Sequence, residues 1–397
     1  MLPAPGHTDK AMTGDTRERL PEIARVFLKL GLVGFGGPAA HIAMMEDEVV
    51  RRRRWMTREH FLDLIGATNL IPGPNSTEMA IHVGREQGGW PGLIVAGTCF
   101  IAPAFLIVLG CAWAYVRYGT LPVVEGLLYG VKPAVIAVVA QALWGLGRAA
   151  VKSWILAGVG MLALAAAAAG LHELVVLFAA GALLATRAWI ANRRLSARAS
   201  VLLPLVSLAG APAAGAAAVS GGAAFGLVPL FLFFLKVGSV LFGSGYVLLA
   251  FLRADLVERW GWMTEGQLLD AVAIGQVTPG PVFTTATFIG YLLGRVPGAI
   301  LATVGIFLPA FLFVAASAPL IPRLRRSAVA AGALDGVNVA SLALMALVAA
   351  QLARSAIVDV PTLTAAILSA FLLLRFRVSS AWLILGGGLM GVIARWP

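Results

Sequence analysis

Charged residues are scarce in this chain of 397 residues. Asp, Glu, Lys and Arg make up 12% of it, whereas hydrophobic residues make up 59%. A soluble globular protein carries about twice that share of charge, so an ordinary soluble protein is excluded and most of the surface must face lipid. Runs of roughly 20 apolar residues, the length that crosses a bilayer, lie at 91–116, 153–170, 201–220, 297–318, 357–374 and 379–394. We therefore expect an all-α polytopic integral membrane protein.

Sequence signatures of enzymes are absent as well. The chain contains no H-E-x-x-H, no G-x-S-x-G and no P-loop, so we expect no catalytic residue, no metal, no cofactor and no ATP hydrolysis. Its two cysteines, Cys99 and Cys111, lie in one apolar run and are expected to be packing residues. The polar N-terminal segment lacks the apolar core of a signal peptide, so we expect none to be removed.

Positive charge exceeds negative charge, and the formal net charge is +11. The basic residues lie in short loops between apolar runs, which is typical of membrane orientation signals rather than of nucleic-acid binding. The loop at 46–60 holds Arg51, Arg52, Arg53, Arg54 and Arg58 and is predicted to be cytoplasmic, whereas the loop at 253–265 has no such bias. This difference favours two halves with inverted orientation.

The two halves are recognisable as an internal repeat. Residues 27–74 align with 234–281 without a gap and give 18 identities in 48 positions, where chance gives roughly five in so apolar a chain. We predict a polar N-terminal tail at 1–20, a first repeat at 21–190, a linker with an extra membrane span at 191–224 and a second repeat at 225–397.

Each half interrupts its apolar sequence with a Pro-Gly-Pro break. The stretches are I-P-G-P-N-S-T (71–77) and T-P-G-P-V-F-T-T (278–285). Broken helices in corresponding positions of two repeats indicate a transporter binding site near the membrane midplane, and N–H groups at a helix start bind anions. We predict a site for a small anion formed by Pro72, Gly73, Pro74, Asn75, Ser76 and Thr77 with Pro279, Gly280, Pro281, Thr284 and Thr285.

A second pair of breaks is predicted at G-F-G-G-P (34–38) and F-G-S-G (242–245), each preceded by a lysine in an apolar run. An intramembrane cation usually faces a cavity or a partner. We therefore add Lys29, Gly36 and Gly37, with Lys236 and Gly243, to the binding site. Close helix packing is the alternative for the glycines, and extension of the side chain toward the membrane surface is the alternative for the lysines.

Five ionisable residues are candidates for proton coupling, His41 among them. Asp63 and Asp270 are equivalent under the repeat, and Glu78 and His82 are four residues apart on one helix face. A carboxylate with an imidazole can carry a proton, since His titrates near neutral pH. Pairing of Asp63 with Arg58 is the alternative for that residue, and neither Glu78 nor His82 recurs in the second half.

These combined motifs resemble the chromate ion transporter family in its long two-domain form, over nearly the whole chain. The resemblance implies an inner-membrane protein that exports chromate, is driven by the proton motive force and confers chromate resistance. The family's motif residues fall here on Lys29, Phe35, Gly36, Gly37, Pro38, Trp55, Asp63, Pro72, Gly73, Pro74 and Asn75, then on Gly243, Trp262, Asp270, Pro279, Gly280 and Pro281. The second copy departs from the first, with Ser244 and Gly245 in place of Gly37 and Pro38, and Gln276 and Val282 in place of Asn69 and Asn75. We therefore weight the first-half site more.

The expected partners are the lipid bilayer, chromate or sulfate as the small anion, and protons; nucleic acid is not expected, and a homodimer is left open. A sulfate-type importer or exchanger on the same scaffold is the main alternative, because sulfate has the same tetrahedral dianion shape. An intramembrane enzyme and a channel are the other two alternatives.

Overall fold

The computed structural model describes residues 16–34, 37–119, 121–195, 225–241, 248–317, 327–376, 378 and 380–394. Within these ranges the chain is helical and contains no strand, as the apolar composition predicts. The first half comprises α1 (Thr16–Val33), α2 (Gly37–Met45), α3 (Arg58–Thr68), α4 (Asn75–Tyr118), α5 (Pro122–Ala150), α6 (Trp154–Ala168) and α7 (Glu173–Leu195). The second comprises α8 (Leu227–Val240), α9 (Leu248–Phe251), α10 (Glu265–Val277), α11 (Thr285–Ser317), α12 (Ala328–Ala356), α13 (Val360–Phe371) and α14 (Ser380–Ala394).

Five of the described helices are long and apolar enough to cross a membrane: α4, α5, α7, α11 and α12. Helices also occupy the predicted apolar runs at 153–170, 357–374 and 379–394. The run at 201–220, with its predicted extra span, lies outside the described residues, as do residues 1–15 of the predicted tail. The remainder of that tail belongs to α1, which begins at Thr16.

Helix packing follows the sequence repeat. Helix α1 packs along α4 as α8 packs along α11, and α7 packs on α12 as α5 packs on α14. The close approaches are also matched, since Gly31 lies against the Phe100 carbonyl and Gly238 lies against that of Ile306. Glycine is needed at both crossings, because a Cβ would lie 2.5 Å and 2.3 Å from those two oxygens.

Helices α4 and α11 each fold back on themselves. The backbone leaves helical geometry at Gly88–Gly89 in α4 and at Gly294–Arg295 in α11. Across the first bend, a Cβ on Gly84 would lie 2.4 Å from the Gly92 carbonyl oxygen, so the two arms are in direct contact. The arm 75–87 spans about 20 Å at 1.5 Å per residue, which is too short for the roughly 30 Å hydrocarbon core. Each bend therefore makes a helical hairpin with one short arm.

Short π-helical segments follow α2 and α9 at equivalent positions, Glu46–Arg52 and Leu252–Arg259. Such segments are rare and are frequently found at functional sites. Each one carries the charged residues of its loop into contact with the lysine of the preceding long helix.

Candidate binding site at the paired breaks

The Pro-Gly-Pro sequences break the chain where the sequence predicts. Pro72–Pro74 separate α3 from α4, and Pro279–Pro281 separate α10 from a short 3₁₀ turn that leads into α11. Gly73 has φ 140° and Gly280 has φ 92°, a conformation that residues with a Cβ rarely adopt. Pro74 and Pro281 are the N-cap residues of the helical segments that follow.

The two breaks lie against opposite halves of the protein in a reciprocal arrangement. The Gly73 N–H donates to the Leu241 carbonyl at 2.7 Å, and the Gly280 N–H donates to the Gly34 carbonyl at 2.8 Å. Gly34 and Leu241 are equivalent residues, at the ends of α1 and α8. Reciprocal contacts of this kind are those of a two-fold related pair. The breaks and the two helix ends therefore form one assembly, in which the Gly73 and Gly280 N–H groups are already bonded to backbone carbonyls.

The first turn of α4 retains unused hydrogen-bonding capacity. Ser76 and Thr77 are buried, and within the described part of the protein the Thr77 hydroxyl and the Asn75 side-chain oxygen have no hydrogen-bond partner. The Asn75 amide donates to Asn69 Oδ1 at 2.8 Å. The N–H groups of Thr77 and Glu78 donate to the Pro74 carbonyl. The Asn75 and Ser76 N–H groups at the start of the helix have no intrahelical acceptor, so this end of the turn remains suited to a polar ligand.

The equivalent hydroxyls of the second half are already occupied. Thr284 Oγ1 donates to the Pro281 carbonyl, and Thr285 Oγ1 donates to the Val282 carbonyl, both at 2.8 Å. Both threonines are buried. The two halves thus differ among the described residues, because the Thr77 hydroxyl has no partner whereas the Thr284 and Thr285 hydroxyls donate to backbone carbonyls.

Glu78 lies one turn into α4 and is fully buried, with 0% exposure. Neither of its carboxylate oxygens has a hydrogen-bond partner among the described residues. A Cβ on Gly73 would lie 2.4 Å from Glu78 Oε1, so the carboxyl group lies directly beside the break. An unpaired ionised carboxylate is very costly in such surroundings, and the environment therefore accommodates the protonated form.

Two histidines of the first half are also buried. His82, one turn further along α4, has no partner for its Nε2 among the described residues. His41 on α2 donates from Nε2 to the same Gly34 carbonyl that accepts from Gly280, at 2.9 Å. The repeat places Leu248 at the position of His41, and Phe288 or Ile289 at that of His82. The two buried histidines of the first half therefore have no titratable counterpart at the equivalent positions of the second half.

The predicted lysines are both engaged in ion pairs. Lys29 Nζ lies 3.0 Å from Glu48 Oε2, and Lys236 Nζ lies 2.5 Å from Asp255 Oδ2. Both carboxylates belong to the π-helical segments and are equivalent under the repeat. The arginine one helical turn later, Arg52 or Arg259, contacts the same carboxylate in each half. The sequence analysis missed these carboxylates, although their alignment in the repeat was a signal.

The Glu48 carboxylate also accepts a hydrogen bond from Arg53. Burial of Glu48 opposes its ionisation, but the hydrogen bonds from Lys29 and Arg53 outweigh that effect and hold the pKa of the carboxyl below its ordinary value. Glu48 is therefore the charged centre that fixes Lys29 to the π-helical segment. Lys29 itself is half exposed.

The two equivalent aspartates occupy different environments. Asp63 is exposed on α3, whereas Asp270 on α10 is 4% exposed. Asp270 forms an ion pair with Lys132 of α5 at 3.2 Å and accepts a hydrogen bond from the Tyr115 hydroxyl at 2.9 Å. Sequence analysis missed Lys132, although a lone lysine in an apolar helix was the same signal that singled out Lys29.

Two predicted glycines, Gly36 and Gly243, lie outside the described residues. Gly37 begins α2 with φ 78°. No group of three His, Cys, Asp or Glu side chains that could hold a metal ion occurs in the part of the chain that the structure describes.

Two related sets of packed apolar helices, broken at matched positions, define a polytopic helical membrane protein built on an internal duplication. The chain belongs to the chromate transporter family: the profile of that family, described as "Chromate transporter", matches residues 21–186 and again residues 228–392. It is therefore a membrane transporter of the family whose substrate is chromate.

Relatives support this over most of the chain. A "Chromate transport protein" of Cupriavidus metallidurans is 33% identical over 386 residues, covering 94% of this chain and 93% of the relative. A "Probable chromate transport protein" of Synechococcus elongatus is 32% identical, covering 86% of this chain and 87% of the relative. A "Chromate transport protein" of Pseudomonas aeruginosa is 36% identical, covering 74% and 71%. No solved structure matches the chain.

Proposed function

We propose that this protein exports chromate from the cytoplasm across the inner membrane, driven by the proton motive force, and thereby confers chromate resistance. The observation that carries the proposal is the pair of Pro-Gly-Pro breaks, each hydrogen-bonded to the opposite half, beside the buried first turn of α4. Asn75, Ser76 and Thr77 supply the donors for a tetrahedral oxyanion there, and the N-terminal end of α4 supplies the positive end of the helix dipole. Transport rather than catalysis is the activity that this arrangement suits.

The proposal includes an inverted orientation of the two halves. The basic loop at 46–60 and the charge-balanced loop at 253–265 then lie on opposite sides of the membrane, as the cytoplasmic bias of basic loops requires. The anion site falls between the halves, where transporters of this construction bind their substrates.

Glu78 is the group that we propose to carry the coupling proton, with His82 as its relay; Asp63 and Asp270 are the further candidates. An oxyanion at the first turn of α4 is repelled by an ionised Glu78 and tolerated by a protonated one. The anion and one proton then move together and carry one net negative charge outward. A membrane potential of about 100 mV, negative inside, contributes roughly 2.3 kcal/mol per elementary charge, so the electrical part of the proton motive force drives export.

The test is uptake of radiolabelled chromate into inside-out membrane vesicles, with the potential and the pH gradient imposed separately. Accumulation driven by the potential is expected, and Asn75→Ala is expected to abolish it at normal protein level. Excess sulfate reports whether the two dianions share the site. Uptake confined to right-side-out vesicles and abolished by sulfate would refute export and favour the sulfate-type importer.

A further inference from the structure

We infer that the cavity beside Asp270 is an additional oxyanion site, in which Lys132 binds the anion and protonation of Asp270 makes Lys132 available. The inference rests on the proposed function, since it takes the ligand to be the transported tetrahedral dianion. It adds a residue, Lys132, and a second position on the route of the anion.

The cavity has the size and the lining of a small polar site. Its volume is about 400 Å³, and its walls come from α4, α5, α10 and the C-terminal end of α12. Tyr115, Tyr129, Lys132 and Ser355 all line it together with Asp270. The hydroxyl groups of Tyr115, Tyr129 and Ser355 all donate to carboxylates. The Lys132 ammonium is therefore the charged donor that this lining offers to an oxyanion.

Lys132 and Asp270 hold each other in the empty cavity. The ammonium lies 3.2 Å from Asp270 Oδ1, while the Tyr115 hydroxyl donates to Oδ2 at 2.9 Å. An arriving anion competes with the Asp270 carboxylate for the same ammonium group and is repelled by it. A proton on Asp270 removes both obstacles, because it neutralises the carboxylate and leaves the ammonium without a counter-charge.

The other charged groups around Asp270 already have partners or lie in solvent. From α5, Glu125 lines the cavity but is exposed, and the Tyr129 hydroxyl donates to Asp359. On α10 itself, Glu265 is paired with Arg253 and accepts from the Ser355 hydroxyl of α12. Among the described residues that line the cavity, Lys132 is therefore the only cation, and Asp270 is the buried acid that controls it.

The cavity lies beside α10, the helix that leads into the break of the second half. Asp270 precedes Pro279 by nine residues, about 13 Å at the rise of a helix. The described part of the first half has no equivalent arrangement, because Asp63 is exposed and the repeat places Asn338 at the position of Lys132. The proposed anion site that is controlled by a proton is thus not repeated in the described part of the first half.

The test is equilibrium binding of radiolabelled sulfate to the purified full-length protein, from about pH 5.5 to about pH 8.5, a range that a partly buried carboxyl can titrate across. The readout is the number of anions bound per chain at saturation. We expect wild type to fill one site more at low pH than at high pH. Lys132→Gln is expected to lose that site at every pH, with affinity falling about thirtyfold or more. Asp270→Asn is expected to fill it at every pH.

Lys152→Gln is the matched control, because Lys152 is an exposed lysine just beyond the end of α5 that pairs with Asp335; it should bind like wild type. A purely structural ion pair would lower the thermal stability of both variants and leave the pH dependence of the stoichiometry unchanged, which would overturn the inference. Should Lys132→Gln fail to fold, Asp270→Asn decides alone: a pH dependence like that of wild type refutes the site. Chromate transport in vesicles is measured separately, so its absence refutes the proposed function and not the cavity site.

Discussion

Replacement of Glu78 by glutamine tests the central claim about the coupling proton. The side chain is fully buried and its oxygens have no partner among the described residues, so the protein accommodates it as a neutral acid. Glutamine has nearly the same shape and is permanently neutral. We therefore expect Glu78→Gln to fold normally and to transport with a pH dependence that differs from that of wild type.

The expected stability change of Glu78→Gln follows from the fact that the Glu78 carboxyl has no hydrogen-bond partner within the described part of the chain. Replacing one neutral, unpaired polar group by another should change the free energy of unfolding by no more than about 1 kcal/mol. If Glu78 were ionised and balanced by a hidden cation, removal of its charge would cost about 3–5 kcal/mol. The two cases are well separated in a thermal unfolding experiment on the purified protein.

Glu86→Gln is the matched control on the same helix. Glu86 lies two turns after Glu78, is partly exposed and lies 2.7 Å from His60 Nε2. Its loss should cost less than about 1 kcal/mol, as for other surface pairs, and should leave the pH profile of chromate uptake intact. A strongly destabilised Glu78→Gln protein, or one whose transport retains the pH dependence of wild type, would refute the assignment.

Two further predictions concern the break and the ion pair. Gly73→Ala should lose stability and transport, because alanine at φ 140° is strained by about 1–3 kcal/mol and its Cβ would meet the Glu78 carboxyl. Gly89→Ala is the control: Gly89 has φ 60° and open space around it, so the substitution should cost only about 1–2 kcal/mol. Equal losses of stability in the two variants would contradict the close approach of Gly73 to Glu78. Glu48→Gln should lower the unfolding temperature near pH 7 but match wild type in acid. Because the pKa of Glu48 is lowered in the folded protein, its carboxylate stabilises the fold at pH values above the ordinary pKa of 4.5. That contribution disappears as the pH falls through the lowered pKa. A difference that persists in acid would show that Glu48 acts through packing.

Much of the candidate site could be predicted from the sequence because it depends on local chemistry. Proline and glycine at 72–74 and 279–281 interrupt a helix whatever surrounds them, and their recurrence at matched positions of the repeat marked them as paired. The lysine of each half was predicted for the same reason. Its carboxylate partner, Glu48 or Asp255, recurs at the same distance along the chain in each half. The ion pair could therefore also be predicted from the alignment of the two repeats.

The remaining features depend on how distant helices pack. Asp63 and Asp270 are equivalent in sequence, yet one is exposed and the other is covered by α5, which brings Lys132 from the opposite half of the chain. The Gly73 and Gly280 N–H groups donate to the helix ends of the opposite half, a contact that the sequence does not indicate. Burial of this kind is decided by the neighbours that a segment acquires, and no local pattern records it.

The reciprocal bonds at the breaks connect the two halves of the protein at two points. One joins Gly73 to the end of α8 and the other joins Gly280 to the end of α1. If the two halves moved apart symmetrically, both hydrogen bonds would stretch together. If one half rocked against the other, the two hydrogen bonds would be strained one at a time. Each hydrogen bond contributes about 1 kcal/mol net, so the rocking motion would cost less free energy than the symmetric separation. The connection that holds the two breaks together thereby opposes the simultaneous opening that would leave a leak through the membrane.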